Sequence, residues 1–136
     1  MSASLLYKIS AVLLFLFALG HTLGFRKVDP KWNAEGVVSG MRSVTFDVQG
    51  FRRSYWDFYA GFGFFVSVLL VFAAVLAWQL GSMPREALAA IPVIRWSFAV
   101  CFVVTTAFTW RYFFVAPGVF SSLVALGLVG AAWMGA

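Results

Sequence analysis

The sequence predicts an all-α protein: a transmembrane four-helix bundle with a long, partly helical interfacial loop between the first two helices. Of its 136 residues, 62% are hydrophobic and only 11% are charged, whereas soluble domains hold about 45–50% apolar and about 25% charged residues. The apolar residues also fall into four runs, each close to the roughly 20 residues that cross a bilayer as a helix. A chain this short cannot bury so much apolar surface in its own core. Lipid must therefore cover the remainder.

The four runs define a single membrane domain over residues 1–136. We expect spans at about residues 4–24, 55–80, 91–114 and 115–136, with the interfacial loop at 25–54. Backbone groups in lipid must be hydrogen-bonded within their own segment, so each span is predicted to be a helix. The first run also resembles a signal peptide with a small-residue cleavage site. We expect it to be retained as the first span.

Inside the loop, apolar residues recur at helical spacing from Asn33 onward. They are Val37, Val38, Met41, Val44 or Thr45, and Val48. This pattern predicts a short amphipathic helix on the membrane surface. The alternative is an irregular loop folded over the mouth of the bundle.

The positive charges predict how the chain is oriented. The net charge is +5. The positively charged residues lie in loops and at span ends, which favours contact with anionic headgroups rather than with nucleic acid. The loop side carries Arg26, Lys27, Lys31, Arg42, Arg52, Arg53 and Arg111, against Lys8, Arg85 and Arg95 on the other side. Because Lys and Arg concentrate in cytoplasmic loops, we expect a multi-pass protein of the bacterial inner membrane. Its long loop would be cytoplasmic and both termini outside.

Up-and-down threading of four spans brings several polar and aromatic side chains to one level, on the loop side. The predicted ligand-binding residues are His21, Arg52, Tyr55, Trp56, Asp57, Tyr59, Trp110 and Arg111. Ionisable residues inside spans are costly and usually face an interior partner. The structural alternative is that the aromatic residues are ordinary interfacial anchors, that Arg111 snorkels, and that His21 forms a hydrogen bond, with Asp57 as one candidate partner.

The sequence predicts no metal site and no cofactor. One histidine cannot supply the several ligands of a usual metal centre, although His21 could be a single axial ligand to a tetrapyrrole. The lone cysteine, Cys101, excludes an intrachain disulfide.

Gly20-His21-Thr22 and the stretch FDVQGFRRSYWDFYAGFG (46–63) resemble an uncharacterised bacterial family of small four-helix integral membrane proteins. The resemblance covers roughly residues 1–80, with RSYWDFYxGFG as its most specific part. Phe51 departs from the small residue expected after Gly50. The resemblance implies the four-helix fold and brings no established activity with it.

Two functions are compatible with these residues. The first is binding of a lipid or small amphiphile, or a role as an accessory subunit of a larger membrane complex or homo-oligomer. The second is a membrane enzyme acting on a lipid or isoprenoid, with His21 and Asp57 as acid/base and Arg111 stabilising an anion. In the first case, we expect Asp47, Arg52 and Asp57 to form a charged network that holds the loop over the bundle mouth.

Overall fold

A computed structural model describes residues 2–135, and most of them are helical. The helices are α1 (Ala3–Gly24), α2 (Glu35–Ser43), α3 (Tyr55–Ser82), α4 (Arg85–Ala89), α5 (Pro92–Tyr112) and α6 (Val115–Met134). A 3₁₀ turn at Pro30–Trp32 precedes α2. Two strands, β1 (Thr45–Val48) and β2 (Phe51–Ser54), lie between α2 and α3.

Four of these helices, α1, α3, α5 and α6, are long and apolar enough to cross a membrane. Their outer faces expose large apolar side chains, among them Phe65 (71% exposed), Val93 (76%) and Leu126 (71%). Contiguous apolar surface of this extent is unusual on a soluble monomer. The four helices therefore indicate a membrane protein, and they lie where the four apolar runs predicted spans.

The loop between α1 and α3 differs in part from the expected surface helix. Helical spacing continues to Val48 in the sequence, but the helix ends at Ser43, and Thr45–Val48 forms a strand. The two strands pair antiparallel, with Asp47 opposite Arg52. Gln49 and Gly50 connect them with φ values of 50° and 84°. Two-residue turns with positive φ at both positions match the twist of a hairpin, so turn chemistry overrides the apolar spacing here.

Contacts divide the chain into two compact units. The loop unit is Ala18–Leu69, and the terminal unit comprises the chain before Ala18 together with everything from Leu70 on. The loop unit contains the end of α1, the whole connection and the first half of α3. The terminal unit contains the start of α1, the end of α3, and α4 to α6.

Within the terminal unit, α5 and α6 form a helical hairpin. Near its turn, the hydroxyls of Thr109 and Ser121 lie 2.7 Å apart. At its open end, the rings of Trp96 and Trp133 meet edge to face at 6.4 Å. Small residues let α1 approach this hairpin closely, since a Cβ at Gly127 would collide with the Ser10 hydroxyl.

Candidate functional site

The first turn of α3 is fixed by a reciprocal cap. The Asp57 carboxylate accepts hydrogen bonds from the backbone N–H of Ser54 (2.7 Å) and from its hydroxyl (2.9 Å). In return, the Ser54 hydroxyl oxygen accepts from the Asp57 N–H at 3.3 Å. This is the arrangement of a capping box, which satisfies amide groups at a helix start. Asp57 thus has a local structural role at the point where the hairpin joins the helix.

The hairpin sends two adjacent arginines to different surroundings, as expected for successive residues of a strand. Arg52 donates to the Thr45 hydroxyl through Nε at 3.3 Å and Nη2 at 3.2 Å. The Arg53 guanidinium lies over the Phe51 ring at 5.1 Å and donates to the Arg52 carbonyl. The expected network of Asp47, Arg52 and Asp57 is thus replaced by local hydrogen bonds of Arg52 and Asp57.

A groove of about 230 Å³ runs along α3 beside Arg53. Its lining consists of Arg53, Asp57, Phe58, Gly61, Phe62 and Phe65. Within α3, Gly61 and Phe62 lie four residues after Asp57 and Phe58, and Phe65 lies three residues after Phe62, so these side chains share one helix face. Gly61 has no atom within 4 Å of a Cβ position, which leaves the middle of the groove open. One end of the groove holds Arg53 together with the carboxylate of Asp57, which is capped by Ser54, and the floor is aromatic. We call it the Arg53 groove.

Phe25 joins the end of α1 to α3 within the loop unit. Its carbonyl accepts a hydrogen bond from the Tyr59 hydroxyl at 2.7 Å. Its ring stacks on His21 at 5.2 Å and meets the Phe64 ring edge-on at 5.3 Å. A Cβ at Gly63 would overlap this ring. Gly63 therefore provides the space in which Phe25 is seated.

His21 is held by serine rather than by the aspartate suggested as its partner. Its Nδ1 lies 3.1 Å from the Ser67 hydroxyl, which also accepts from the Thr22 hydroxyl at 2.8 Å. Ser67 is a buried polar residue of α3. Asp57 is meanwhile engaged by Ser54. Axial position explains the difference, because Asp57 and Ser67 are ten residues, about 15 Å, apart along α3.

The predicted aromatic residues of the loop unit contact one another. Tyr55 packs on Phe46 of β1 at 5.0 Å, and Trp56 packs on Tyr59 at 5.4 Å. The Arg42 guanidinium of α2 lies 4.2 Å from the centre of the Trp56 ring. These contacts dock both the helix and the hairpin of the loop onto the start of α3.

The remaining predicted residues, Trp110 and Arg111, belong to the terminal unit. Trp110 donates from its indole N–H to the Ser122 hydroxyl at 3.0 Å. The Arg111 guanidinium lies over the Tyr112 ring at 5.4 Å. Both side chains are exposed. Their role in ligand binding stays a prediction.

A second, larger groove lies between the end of α1 and α2, with a volume of about 570 Å³. Its lining residues are Arg26, Val28, Glu35, Val38, Ser39, Arg42 and Ser43. Five of these seven residues are charged or carry a hydroxyl group, and both guanidinium groups lie over aromatic rings. It suits a polar molecule better than an apolar chain.

Among residues 2–135, no group of three or more His, Cys, Asp or Glu side chains could hold a metal ion. The suggestion of His21 as a tetrapyrrole ligand stays a prediction. Sequence reasoning missed Arg53 and the groove residues Phe58, Phe62 and Phe65. The spacing of the three phenylalanines along α3 was a signal that they share a helix face. The same spacing occurs, however, in any lipid-facing stripe of an apolar helix.

No protein family, curated protein or solved structure matches this chain.

Proposed function

We propose that this membrane protein binds an anionic amphiphile, with the headgroup at Arg53 and part of an acyl chain along α3. The observation that carries the proposal is the Arg53 groove, which places a cation at one end of an aromatic floor. Arginine has five N–H donors, and one contact of its guanidinium is to the Arg52 carbonyl. The remaining N–H donors suit the oxygens of a phosphate or carboxylate.

The groove is small, which limits what it can hold. Its volume of about 230 Å³ lies below the 300–1,000 Å³ that is typical of drug-sized ligand sites. The exposed side chains of Phe62 and Phe65 line the groove. An acyl chain would lie against their apolar surface and continue beyond it. A lipid would therefore be held at its headgroup and the upper part of one chain.

Adjacent arginines provide the test. Purified full-length protein is titrated in detergent with phosphatidylglycerol or with phosphatidylcholine of identical chains, and bound lipid is counted by native mass spectrometry. We expect Arg53→Gln to weaken phosphatidylglycerol binding about tenfold or more, as for a lost charged hydrogen bond. Arg52→Gln, the matched control, removes the same charge from a side chain that does not line the groove. It should cost about fivefold at most, from general attraction to anionic lipid.

A second variant tests the apolar part of the groove without changing charge. Gly61→Leu fills the open middle of the groove and should weaken the binding of both lipids. Equal effects of Arg52→Gln and Arg53→Gln, or unchanged binding in Gly61→Leu, would refute the proposed site. Co-purification of a discrete protein partner instead of lipid would support the accessory-subunit alternative.

The enzymatic alternative has less support from the geometry. His21 and Asp57, the suggested acid/base pair, are each engaged by a different serine of the loop unit. Both interactions have an evident structural purpose. The chemistry would require these side chains to exchange those partners for a substrate.

We further propose that the long loop faces the cytoplasm of a bacterial inner membrane, with both termini outside. The support is the excess of Lys and Arg at the loop end of the spans. In this orientation the Arg53 groove meets the inner leaflet, where anionic lipids give a negative surface potential.

A further inference from the structure

The larger groove of the loop unit contains two arginines that aromatic rings hold in place. The Arg42 guanidinium lies 4.2 Å from the centre of the Trp56 ring, and the Arg26 guanidinium lies 5.2 Å from the centre of the Phe64 ring. Both arginines line this groove of about 570 Å³, which we call the α2 groove. A cation–π contact engages the charge of a guanidinium and leaves its in-plane N–H donors for a ligand.

The two arginines rest on one connected row of rings. Trp56 packs on Tyr59 at 5.4 Å, and Tyr59 packs on Phe25 at 6.1 Å. Phe25 in turn meets the Phe64 ring at 5.3 Å. Because this row joins the rings that both guanidinium groups contact, it fixes the positions of the two cations relative to each other. Binding groups that are ordered in advance lose less conformational freedom when a ligand arrives.

The wall of the groove that α2 provides carries opposite charges at its two ends. Glu35, Ser39 and Arg42 are spaced four and three residues apart, so they share a helix face, and all three line the groove. Glu35 lies in the first turn of α2 and Arg42 in its last turn. Their separation in sequence corresponds to about 10 Å along the helix axis. The carboxylate is therefore placed to contact a different part of a ligand from the guanidinium groups.

The α2 groove begins where a predicted span ends. α1, which is long and apolar enough to cross a membrane, ends at Gly24. Arg26 and Val28 follow two and four residues later, and both line the groove. A helix that crosses the hydrocarbon core ends at the level of the lipid headgroups. The ligand expected at this level is a headgroup or a small polar molecule with the same chemistry.

The polar groups of the α2 groove are of two kinds. Guanidinium groups and a hydroxyl suit the oxygens of a phosphate, whereas a carboxylate suits a primary ammonium group, which has three N–H donors. We propose that the groove binds a phosphate linked to a primary amine, the phosphoethanolamine unit. Arg26 and Arg42 hold the phosphate, the Ser39 hydroxyl donates to it, and the ammonium group donates to Glu35. This site is separate from the Arg53 groove, with which it shares no lining residue.

The ammonium end is tested by comparing phosphatidylethanolamine with phosphatidylcholine of identical chains, each added to full-length protein in detergent and counted by native mass spectrometry. Both headgroups carry a phosphate and a positive charge, but only the primary ammonium donates hydrogen bonds. We expect the wild-type protein to bind phosphatidylethanolamine about tenfold more tightly. Glu35→Gln should abolish this preference, because it removes the charge and nearly keeps the shape. Arg53→Gln should leave the preference unchanged, because both lipids present the same phosphate to Arg53.

Adjacent cations test the phosphate end. Arg26→Gln should weaken phosphatidylethanolamine binding about tenfold, as for a lost charged hydrogen bond. The matched control Lys27→Gln removes the same charge from a side chain that does not line the groove. It should cost about fivefold at most, from general attraction to phosphate.

The phosphoethanolamine unit occurs as a lipid headgroup and as a free molecule, and a second titration distinguishes these sources. Free phosphoethanolamine and free phosphocholine are added to the protein without lipid and counted in the same way. A preference for the amine in the lipid pair alone identifies the lipid as the ligand. A preference that also occurs in the free pair, or only there, shows that the headgroup is sufficient.

The structural alternative is that Arg26 and Arg42 only dock the loop onto α3. Their replacement would then lower the melting temperature, and the wild-type protein would distinguish neither pair of ligands. The absence of a preference in both pairs, a preference that survives Glu35→Gln, or equal effects of Arg26→Gln and Lys27→Gln would overturn the proposal. The Glu35→Gln measurement is decisive even if Arg26→Gln does not fold, because Glu35 is exposed and glutamine replaces it without loss of packing.

Discussion

Gly63→Ala gives the sharpest test of how the loop unit is assembled. A Cβ at Gly63 would overlap three atoms of the Phe25 ring, whereas a Cβ at Gly61, two residues away on α3, meets nothing within 4 Å. The two glycines therefore form a matched pair. The same methyl group is added to the same helix, once against a ring and once into open space.

The two energetic terms can be separated by comparing these variants. Each gains about 1 kcal/mol because alanine favours helix over glycine. Only Gly63→Ala must displace a ring, which typically costs about 1–3 kcal/mol. The displaced ring would also lose its stack on His21. We therefore expect Gly63→Ala to be less stable than Gly61→Ala by about 1–3 kcal/mol.

The measurement is the free energy of unfolding in mixed micelles as the denaturing detergent is increased. A double variant that adds Phe25→Leu should recover part of the loss of Gly63→Ala, since the smaller side chain vacates the space of the ring. Coupling between the two positions is then the non-additive part of the double-mutant cycle. Equal stability of Gly61→Ala and Gly63→Ala would show that Phe25 is not seated against α3, and would refute this account of the loop unit.

Two further predictions use other parts of the chain. Ser54→Ala removes the hydroxyl to which the Asp57 N–H donates. It should lower the free energy of unfolding by about 0.5–2 kcal/mol, measured by the same detergent unfolding. An unchanged free energy of unfolding would contradict the capping arrangement. For the proposed topology, single cysteines at Ser39 and Ser82 in a Cys101→Ser background should react with an impermeant maleimide from opposite sides. In intact cells, Ser82→Cys should be labelled and Ser39→Cys protected, and the reverse pattern would invert the orientation.

The Phe25 contacts show where sequence reasoning reaches its limit. The spacing of His21, Asp57 and Tyr59 along their spans predicted that they lie toward the same end of the bundle. Which side chains they contact depends on the rotation of each helix about its axis. Apolar composition does not determine that rotation when lipid surrounds several faces of a helix. In the structure His21 bonds Ser67 and Tyr59 bonds the Phe25 carbonyl. Neither partner has a distinctive sequence signal.

The hairpin and Arg95 were missed for two other reasons. Apolar spacing through Val48 suggested continued helix, but the positive φ values of Gln49 and Gly50 close a two-residue turn that requires strands on both sides. Arg95 stands four residues into a span, where an arginine normally snorkels to the interface. Packing against α6 buries it instead, and a position near a span end does not reveal such packing.

By itself, the sequence determined that this chain has four apolar helices and a polar connection between the first two. Both follow from composition and length, because lipid requires long apolar segments with internally bonded backbones. The tertiary structure decided which side chains meet: Arg53 rather than Arg52 beside the aromatic groove, Phe25 against Gly63, and Arg95 inside the terminal unit. These outcomes depend on strand alternation, helix rotation and the close fit of small residues, which arise only when the elements pack together.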